Sequence, residues 1–143
     1  MKLFLRINSL IILVLLLSSC TEKCDDCGDL TTKNVVYTDS LGNNIFFGDR
    51  AVLNPDSVYF QLNDSEPMPA AQNINKGSFS FFLSENYEKY IFILPNSTID
   101  TLEFNVSQQK SKDCCGFKPK STRTFLNSSE IQNTDPIMIV KDF

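Results

Sequence analysis

The side chains with the greatest scope for chemistry in this sequence are its five cysteines, because the chain contains no histidine. Cys24 and Cys27 have the C-x-x-C spacing found in thiol redox enzymes and in one half of many zinc sites. Cys114 and Cys115 are adjacent, and Cys20 follows an apolar run. The spacing therefore raises three possibilities: redox catalysis, zinc binding and structural disulfides.

Redox catalysis and zinc binding both fit the cysteines poorly. A reactive thiol needs a lowered pKa, usually at a helix N-terminus. Here Asp25 and Asp26 lie between the first two thiols and would raise their pKa, and no helical pattern follows Gly28. Four-cysteine zinc sites have a spacer of roughly two to four residues within each pair. The adjacent Cys114 and Cys115 have none.

Other catalytic combinations are also missing from the sequence. Without histidine there is no Ser-His or Cys-His pair, and the commonest protein ligand for zinc is lacking. Asp25, Asp26 and Asp29, or Asp64 and Glu66, could gather calcium, but neither stretch has the alternating ligand loop with its glycine and terminal glutamate. We therefore predict a protein that is not an enzyme and uses no metal or cofactor.

The N-terminal segment has the residue order of a secretory signal peptide. Lys2 and Arg6 precede an apolar run from Leu10 to Leu17. A helix that crosses a bilayer needs roughly 20 apolar residues, so this run is too short to favour an uncleaved membrane helix.

The run ends in Leu17-Ser18-Ser19-Cys20, which resembles the lipobox of bacterial lipoproteins. The resemblance implies that residues 1–19 are removed and that Cys20 is acylated, with palmitate as the expected lipid, and becomes the first residue of the mature chain. One acyl chain alone binds a membrane weakly, and the resemblance to lipoproteins of this type implies several chains on Cys20. The lipid bilayer is thus the first predicted partner.

Once Cys20 is acylated, four cysteines remain, and an exported chain lies in an oxidising compartment. Three connectivities are possible. Neighbouring Cα atoms are about 3.8 Å apart, less than the roughly 4.4–6.8 Å of a relaxed disulfide, so a Cys114–Cys115 bridge would be strained. We expect Cys24 and Cys27 to be cross-paired with Cys114 and Cys115, which would hold the domain close to the membrane.

These features predict a signal peptide at 1–19, a lipidated N-terminus and polar tether at 20–34, and a single domain at 35–143. Of the 143 residues, 124 remain after cleavage, which is enough for one domain. Loss of Lys2 and Arg6 leaves 11 of the 13 basic side chains against 17 acidic ones, a formal charge of −6. This balance argues against nucleic acid as a partner.

From residue 35 onward, apolar residues alternate over short stretches that turn residues separate. The pattern predicts an all-β domain, an antiparallel β-sandwich of about seven or eight strands that is immunoglobulin-like or transthyretin-like. We expect 107–120 to be a polar loop and 69–74 to supply an edge strand. The expected strands are 35–37 and 45–47, joined as a hairpin, and 57–62, 78–83, 90–94, 99–106, 122–126 and 136–140.

The chain is similar to small Bacteroidetes-type lipoproteins with a β-sandwich domain. The lipobox, Asp100-Thr101-Leu102 after an apolar strand, a later cysteine and Asn127-Ser128-Ser129-Glu130-Ile131 before the last strand carry this similarity. Such families often have Asn-Gly at that turn, where this chain has Asn-Ser. The resemblance implies a cell-envelope location, in the outer membrane on its periplasmic or surface face, and implies no activity.

Three functional classes remain. We favour a membrane-anchored, non-catalytic binding or structural module of the cell envelope, with an envelope protein or a glycan as partner. The alternative is a surface glycan-binding lipoprotein, for which exposed tyrosines would cluster in one groove beside Asn or Asp. An enzyme ranks third. The candidate tyrosines are Tyr37, Tyr59, Tyr87 and Tyr90.

Overall fold

Two β-sheets packed face to face make up the fold. The computed structural model describes residues 31–110 and 117–142, and within them lie ten strands and three short 3₁₀ helices. The helices are Pro55–Ser57, Ile74–Lys76 and Pro95–Ser97. The strands are β1 (Thr32–Thr38), β2 (Tyr59–Leu62), β3 (Met68–Pro69), β4 (Gln72–Asn73), β5 (Ser78–Phe82), β6 (Lys89–Ile93), β7 (Ile99–Lys110), β8 (Phe117–Leu126), β9 (Ser129–Ile131) and β10 (Ile137–Val140).

Contacts divide the chain into two compact units. One comprises Leu30–Gln109 with Lys118–Phe143. The other comprises Met1–Asp29 with Lys110–Phe117, of which only the two end residues Lys110 and Phe117 are described. Both sheets belong to the first unit, apart from the last residue of β7 and the first residue of β8.

One sheet has four strands in the order β10-β1-β5-β4, and the other has six in the order β3-β2-β6-β7-β8-β9. The pairs β1–β5, β2–β6 and β6–β7 are antiparallel, whereas β1 and β10 run parallel, with Val35 opposite Ile137. The two-residue strands β3 and β4 lie on edges of different sheets. The chain therefore crosses from one sheet to the other between Pro69 and Gln72.

Aromatic side chains from the inner faces of both sheets form the core. Phe81 of the four-stranded sheet lies 5.8 Å from Phe60, 4.9 Å from Tyr90 and 5.8 Å from Phe104, measured between ring centroids. All three partners belong to the six-stranded sheet. Burial of one such ring is worth about 1.5–3 kcal/mol, so these contacts are a main source of attraction between the sheets.

The β-sandwich predicted from alternation is confirmed. Seven expected strands correspond to β1, β2, β5, β6, β7, β8 and β10, and the edge strand expected at 69–74 is divided between β3 and β4. The structure has more strands than the seven or eight expected. The reason is that β3, β4 and β9 have only two or three residues, too few for alternation to register.

The hairpin predicted between 35–37 and 45–47 is wrong. The return arm makes one isolated bridge to β1, at Asn44. The Asn44 side-chain oxygen accepts the backbone N–H groups of Phe46 (3.1 Å) and Phe47 (3.0 Å). These two local hydrogen bonds bend the chain out of an extended conformation. β1 pairs with β5 and β10 instead.

The loop predicted at 107–120 is also wrong over most of its length, because β7 continues to Lys110 and β8 begins at Phe117. The last four residues of β7 are all exposed. β7 and β8 are neighbours in the six-stranded sheet, and nearer its middle the Thr122 hydroxyl donates to the Asn105 carbonyl at 3.0 Å. Apolar periodicity cannot report a strand that has no buried face.

Candidate functional site

The residues predicted to carry the anchor and the disulfides lie outside the described part of the chain. They are Cys20, Cys24, Cys27, Cys114 and Cys115. Acylation of Cys20 and cross-pairing of the other four cysteines therefore stay predictions. Within residues 31–110 and 117–142, the feature best suited to bind something is a cavity.

The four tyrosines do not come together in one groove. Tyr37 and Tyr90 are buried in the core, whereas Tyr59 is partly exposed and alternates along β2 with the core-packed Phe60. Tyr87 borders the cavity, and its ring lies 6.4 Å from the buried ring of Tyr90. Only one tyrosine, Tyr87, is therefore placed to meet a ligand in the cavity.

The cavity measures about 470 Å³ and has walls from both sheets. This volume falls within the range of about 300–1,000 Å³ that is typical of ligand sites. The lining residues are contributed by five strands or their flanks and are mostly apolar. They are Thr32, Phe60, Leu62, Met68, Pro69, Ala71, Ser80, Phe81, Phe82, Ser84 and Tyr87.

The cavity lies where the chain crosses between the sheets. Met68 of β3 pairs with Phe60 in one sheet, and Gln72 of β4 pairs with Phe79 in the other. Between them Ala70 is buried, and its N–H donates to the Val58 carbonyl at 3.0 Å. Because β4 has two residues, it covers only the first part of β5 and leaves the rest of that edge beside the cavity.

Two prolines end the six-stranded sheet at this point. The N–H of Ala70 faces β2. Because backbone N–H and C=O groups alternate in direction along a strand, the backbone groups of Met68 also face β2, whereas the backbone nitrogens of Pro67 and Pro69 face outward. Proline has no N–H to donate, and it is tolerated at this position in an edge strand. The outer edge of β3 therefore offers no donor to another strand.

The cavity suits a neutral apolar group. None of the lining residues within the described part of the chain is charged, and a charge brought into such a site would lose its hydration without a partner. Two of the lining hydroxyls are already engaged: Ser80 Oγ donates to Asn34 Oδ1 at 2.8 Å, and Ser84 Oγ accepts the N–H of Asn86 at 3.2 Å. Apolar contact is thus the main interaction that the walls can make.

Exposed apolar side chains extend the cavity lining toward solvent. Met68 is 46% exposed, Phe82 57% and Tyr87 39%. Single exposed apolar residues are ordinary, but three around one apolar cavity form a patch of the kind that marks interaction sites.

A polar network supports the wall of the cavity that β5 contributes. The Asn34 N–H donates to Asp135 Oδ1 at 2.8 Å, and the Asn34 side-chain oxygen accepts from Ser80. Neighbouring Lys33 is buried; burial lowers its pKa, and the nearby Asp135 carboxylate partly opposes that effect. The network holds Ser80 in place and so fixes one side of the cavity.

A second cluster of polar residues is centred on a buried carboxylate. Asp100 is fully buried, and its Oδ1 accepts from Lys141 Nζ at 2.7 Å and from Asn127 Nδ2 at 3.1 Å. Neither Asp100 Oδ2 nor the Tyr37 hydroxyl has a hydrogen bond of good geometry in the described part of the chain. Burial, and then the negative charge of Asp100, raise the pKa of Tyr37 well above its ordinary value.

This cluster joins the ends of three elements. Asn127 begins the turn between β8 and β9, with φ of 50°, and Ser128 follows with φ of 69°, the left-handed pair of a two-residue hairpin turn. Thr101 N–H donates to the Asn127 side chain at 2.9 Å, and Asn127 N–H donates to the Thr101 carbonyl at 2.8 Å. Because none of these residues lines the cavity, we assign the cluster a structural role.

No sequence pattern predicts that Lys141 pairs with a buried carboxylate, and Asp100-Thr101-Leu102 carries a resemblance to lipoproteins that implies no role for Asp100. The available signal was a single basic residue directly after the last strand. The residues of the cavity escaped detection too, because aromatic residues of the cavity and of the closed core occupy the same alternating positions.

Within the described residues, no group of three or more histidine, cysteine, aspartate or glutamate side chains is arranged to hold a metal ion. In the same part of the chain no helix is long and apolar enough to cross a membrane. Comparison with protein-family models, with curated proteins and with solved structures found no match.

Proposed function

We propose that this chain is a lipid-anchored, non-catalytic binding module of the cell envelope and that the cavity between its sheets is the binding site. The observation that carries the binding role is the cavity itself, which measures about 470 Å³, has no charged side chain among its described lining residues and has exposed apolar residues around it. The anchor rests on Leu17-Ser18-Ser19-Cys20 and its resemblance to a lipobox.

The ligand follows from the chemistry of the walls. Phe60, Leu62, Met68, Phe81 and Phe82 offer aliphatic and aromatic surface and no charge. Removal of apolar surface from water is worth roughly 25 cal/mol per Å², so an apolar group that fills the cavity gains affinity from area alone. A strongly hydrated or charged group would lose more on desolvation than these walls return.

Binding can be tested with the neutral fluorescent dye N-phenyl-1-naphthylamine, whose emission rises in apolar surroundings. The protein used is the unacylated chain from residue 20 onward carrying Cys20→Ser. Ala71 lines the cavity, and Ala51 is exposed elsewhere, so Ala71→Leu and Ala51→Leu are matched variants. We expect Ala71→Leu to weaken dye binding at least tenfold and Ala51→Leu to leave it unchanged. Equal binding by both variants, or none by the parent chain, would refute the site.

The anchor can be tested separately in cells that are fed labelled palmitate. The parent chain and Cys24→Ala should both incorporate the label and sediment with membranes, because Cys24 is not the acylated residue. Cys20→Ala should do neither. Labelled, membrane-bound Cys20→Ala protein would contradict the anchor and leave the binding site unaffected.

A further inference from the structure

Beside the cavity, one side of β5 has backbone groups that bond to no other group in residues 31–110 and 117–142. The N–H of Leu83 donates to the Thr31 carbonyl at 2.8 Å, toward β1, and the N–H of Ser80 donates to the Ala71 carbonyl at 2.8 Å, on the opposite side. Backbone groups alternate in direction along a strand. The N–H and C=O of Phe82 therefore point the same way as those of Ser80, away from β1.

Nothing in the described part of the chain bonds to Phe82 on that side. The register of β4 against β5 pairs Gln72 with Phe79 and Asn73 with Ser78, and the chain then turns at Ala70 toward the other sheet. Phe82 and Ser80 both line the cavity. One donor and one acceptor of the backbone are thus left at an edge that borders an apolar space.

An entirely apolar ligand could not satisfy the backbone groups at the β5 edge. If it covered the edge, it would bury the Phe82 N–H and C=O without hydrogen-bond partners, and the lost hydration of both groups would weaken binding. An extended peptide avoids this cost because its own backbone supplies one acceptor and one donor. Peptides that extend a sheet in this way take affinity from main-chain bonds and specificity from pockets for alternate side chains.

We propose that the cavity binds an extended peptide segment of a partner protein, which pairs with Phe82 as a continuation of the β4 edge and inserts an apolar side chain between the sheets. This proposal rests on the proposed function and names the ligand class for the same site. The peptide adds to β5 and not to β3, because Pro67 and Pro69 face outward there and donate nothing. Its inserted side chain is neutral, since the lining residues that the structure describes are all uncharged.

The probe for the first experiment is a pooled library of acetylated, amidated seven-residue peptides. Serine or threonine alternates in them with valine, isoleucine, leucine or phenylalanine, so that one face of the extended peptide is apolar. The Cys20→Ser chain from residue 20 onward is dialysed against the library, and retained peptides are identified by mass spectrometry. We expect a subset to be enriched at least tenfold over the Ala71→Leu variant and to displace N-phenyl-1-naphthylamine.

Hydrogen–deuterium exchange of the Phe82 amide then tests the main-chain pairing directly. The amide should exchange at least tenfold more slowly with the enriched peptide bound. N-methylation of the peptide along the edge that pairs with Phe82 should abolish this protection, and N-methylation along the opposite edge should not. Phe82→Pro, which removes the N–H, should weaken peptide binding at least tenfold relative to Phe82→Ala, which removes only the ring. A far-ultraviolet circular dichroism spectrum and a urea midpoint that match those of Phe82→Ala control for the folding of Phe82→Pro.

Failure of this proposal differs from failure of the binding site. If the dye binds but no peptide is enriched, or if an enriched peptide leaves Phe82 exchange unchanged, the peptide proposal is overturned and the apolar site stands. If the parent chain does not bind the dye, the proposed function fails.

Discussion

Replacement of Lys141 by methionine tests the physical reasoning about the buried cluster most sharply. The substitution removes the ammonium group and keeps a similar apolar stem. Asp100 remains fully buried, and among the described residues the 3.1 Å bond from Asn127 is then the one hydrogen bond left to compensate its charge. The two changes expected are a large loss of stability and its rescue by a second substitution.

The magnitude follows from the surroundings of the pair. Loss of one partner from a buried ion pair costs about 3–5 kcal/mol, because the other charge stays buried and uncompensated. The Lys141 side chain is 22% exposed, and solvent screening of its charge reduces the expected loss of unfolding free energy to about 2–4 kcal/mol. Combining Lys141→Met with Asp100→Asn removes both charges and keeps an acceptor for Asn127. Because a buried pair nearly breaks even against its desolvation, the double variant should lie within about 1 kcal/mol of the parent.

Urea unfolding followed by far-ultraviolet circular dichroism suits this test, since the chain has no tryptophan to report by fluorescence. Lys76→Met is the matched control, because Lys76 is exposed and its substitution should change the unfolding free energy by less than about 0.5 kcal/mol. If Lys141→Met lowers the unfolding free energy no more than Lys76→Met does, Asp100 does not depend on Lys141 for compensation of its charge. A double variant less stable than Lys141→Met alone would contradict the same compensation.

Three further predictions follow from single features. The hydroxyl of Tyr37 keeps its proton above the ordinary tyrosine pKa, whereas the unfolded chain loses it, so the unfolding free energy should fall as pH rises above about 10. In urea unfolding between pH 9 and 11, Tyr37→Phe should lessen this fall, and Tyr59→Phe, at an exposed tyrosine, should not. Ser128 has φ of 69°, so Ser128→Gly should raise the unfolding free energy by about 0.5–1 kcal/mol, whereas Ser129→Gly in β9 should lower it. Non-reducing peptide mapping should find Cys24 and Cys27 linked to Cys114 and Cys115; four free thiols would contradict the cross-pairing.

The sandwich could be predicted because alternation reports which face of each strand is buried. Phe79, Phe81 and Leu83 alternate with small or exposed residues in one short stretch, and all three are buried. Alternation carries no information about partners. The pairing of β1 with β10 joins residues about a hundred positions apart, as Val35 with Ile137, and the local pattern at Asn43 and Asn44 predicted a hairpin instead.

The cavity could not be predicted for a related reason. Phe60 and Phe81 line it, and Phe79 and Phe92 do not, although all four are aromatic residues at inward positions of strands. The difference depends on where β4 ends and β3 begins. The sequence predicted an edge strand at 69–74, but the space beside that edge depends on the other sheet.

Residue type and period act locally, so they were enough to predict an all-β domain, the places of most strands and the five cysteines of the predicted anchor and disulfides. Long-range packing sets which strands meet, that Lys141 compensates Asp100, and that the crossing between sheets leaves an apolar cavity beside Phe82, whose outward backbone groups bond to nothing in the described part of the chain. These properties depend on distances between residues far apart in the chain, and packing in three dimensions sets those distances.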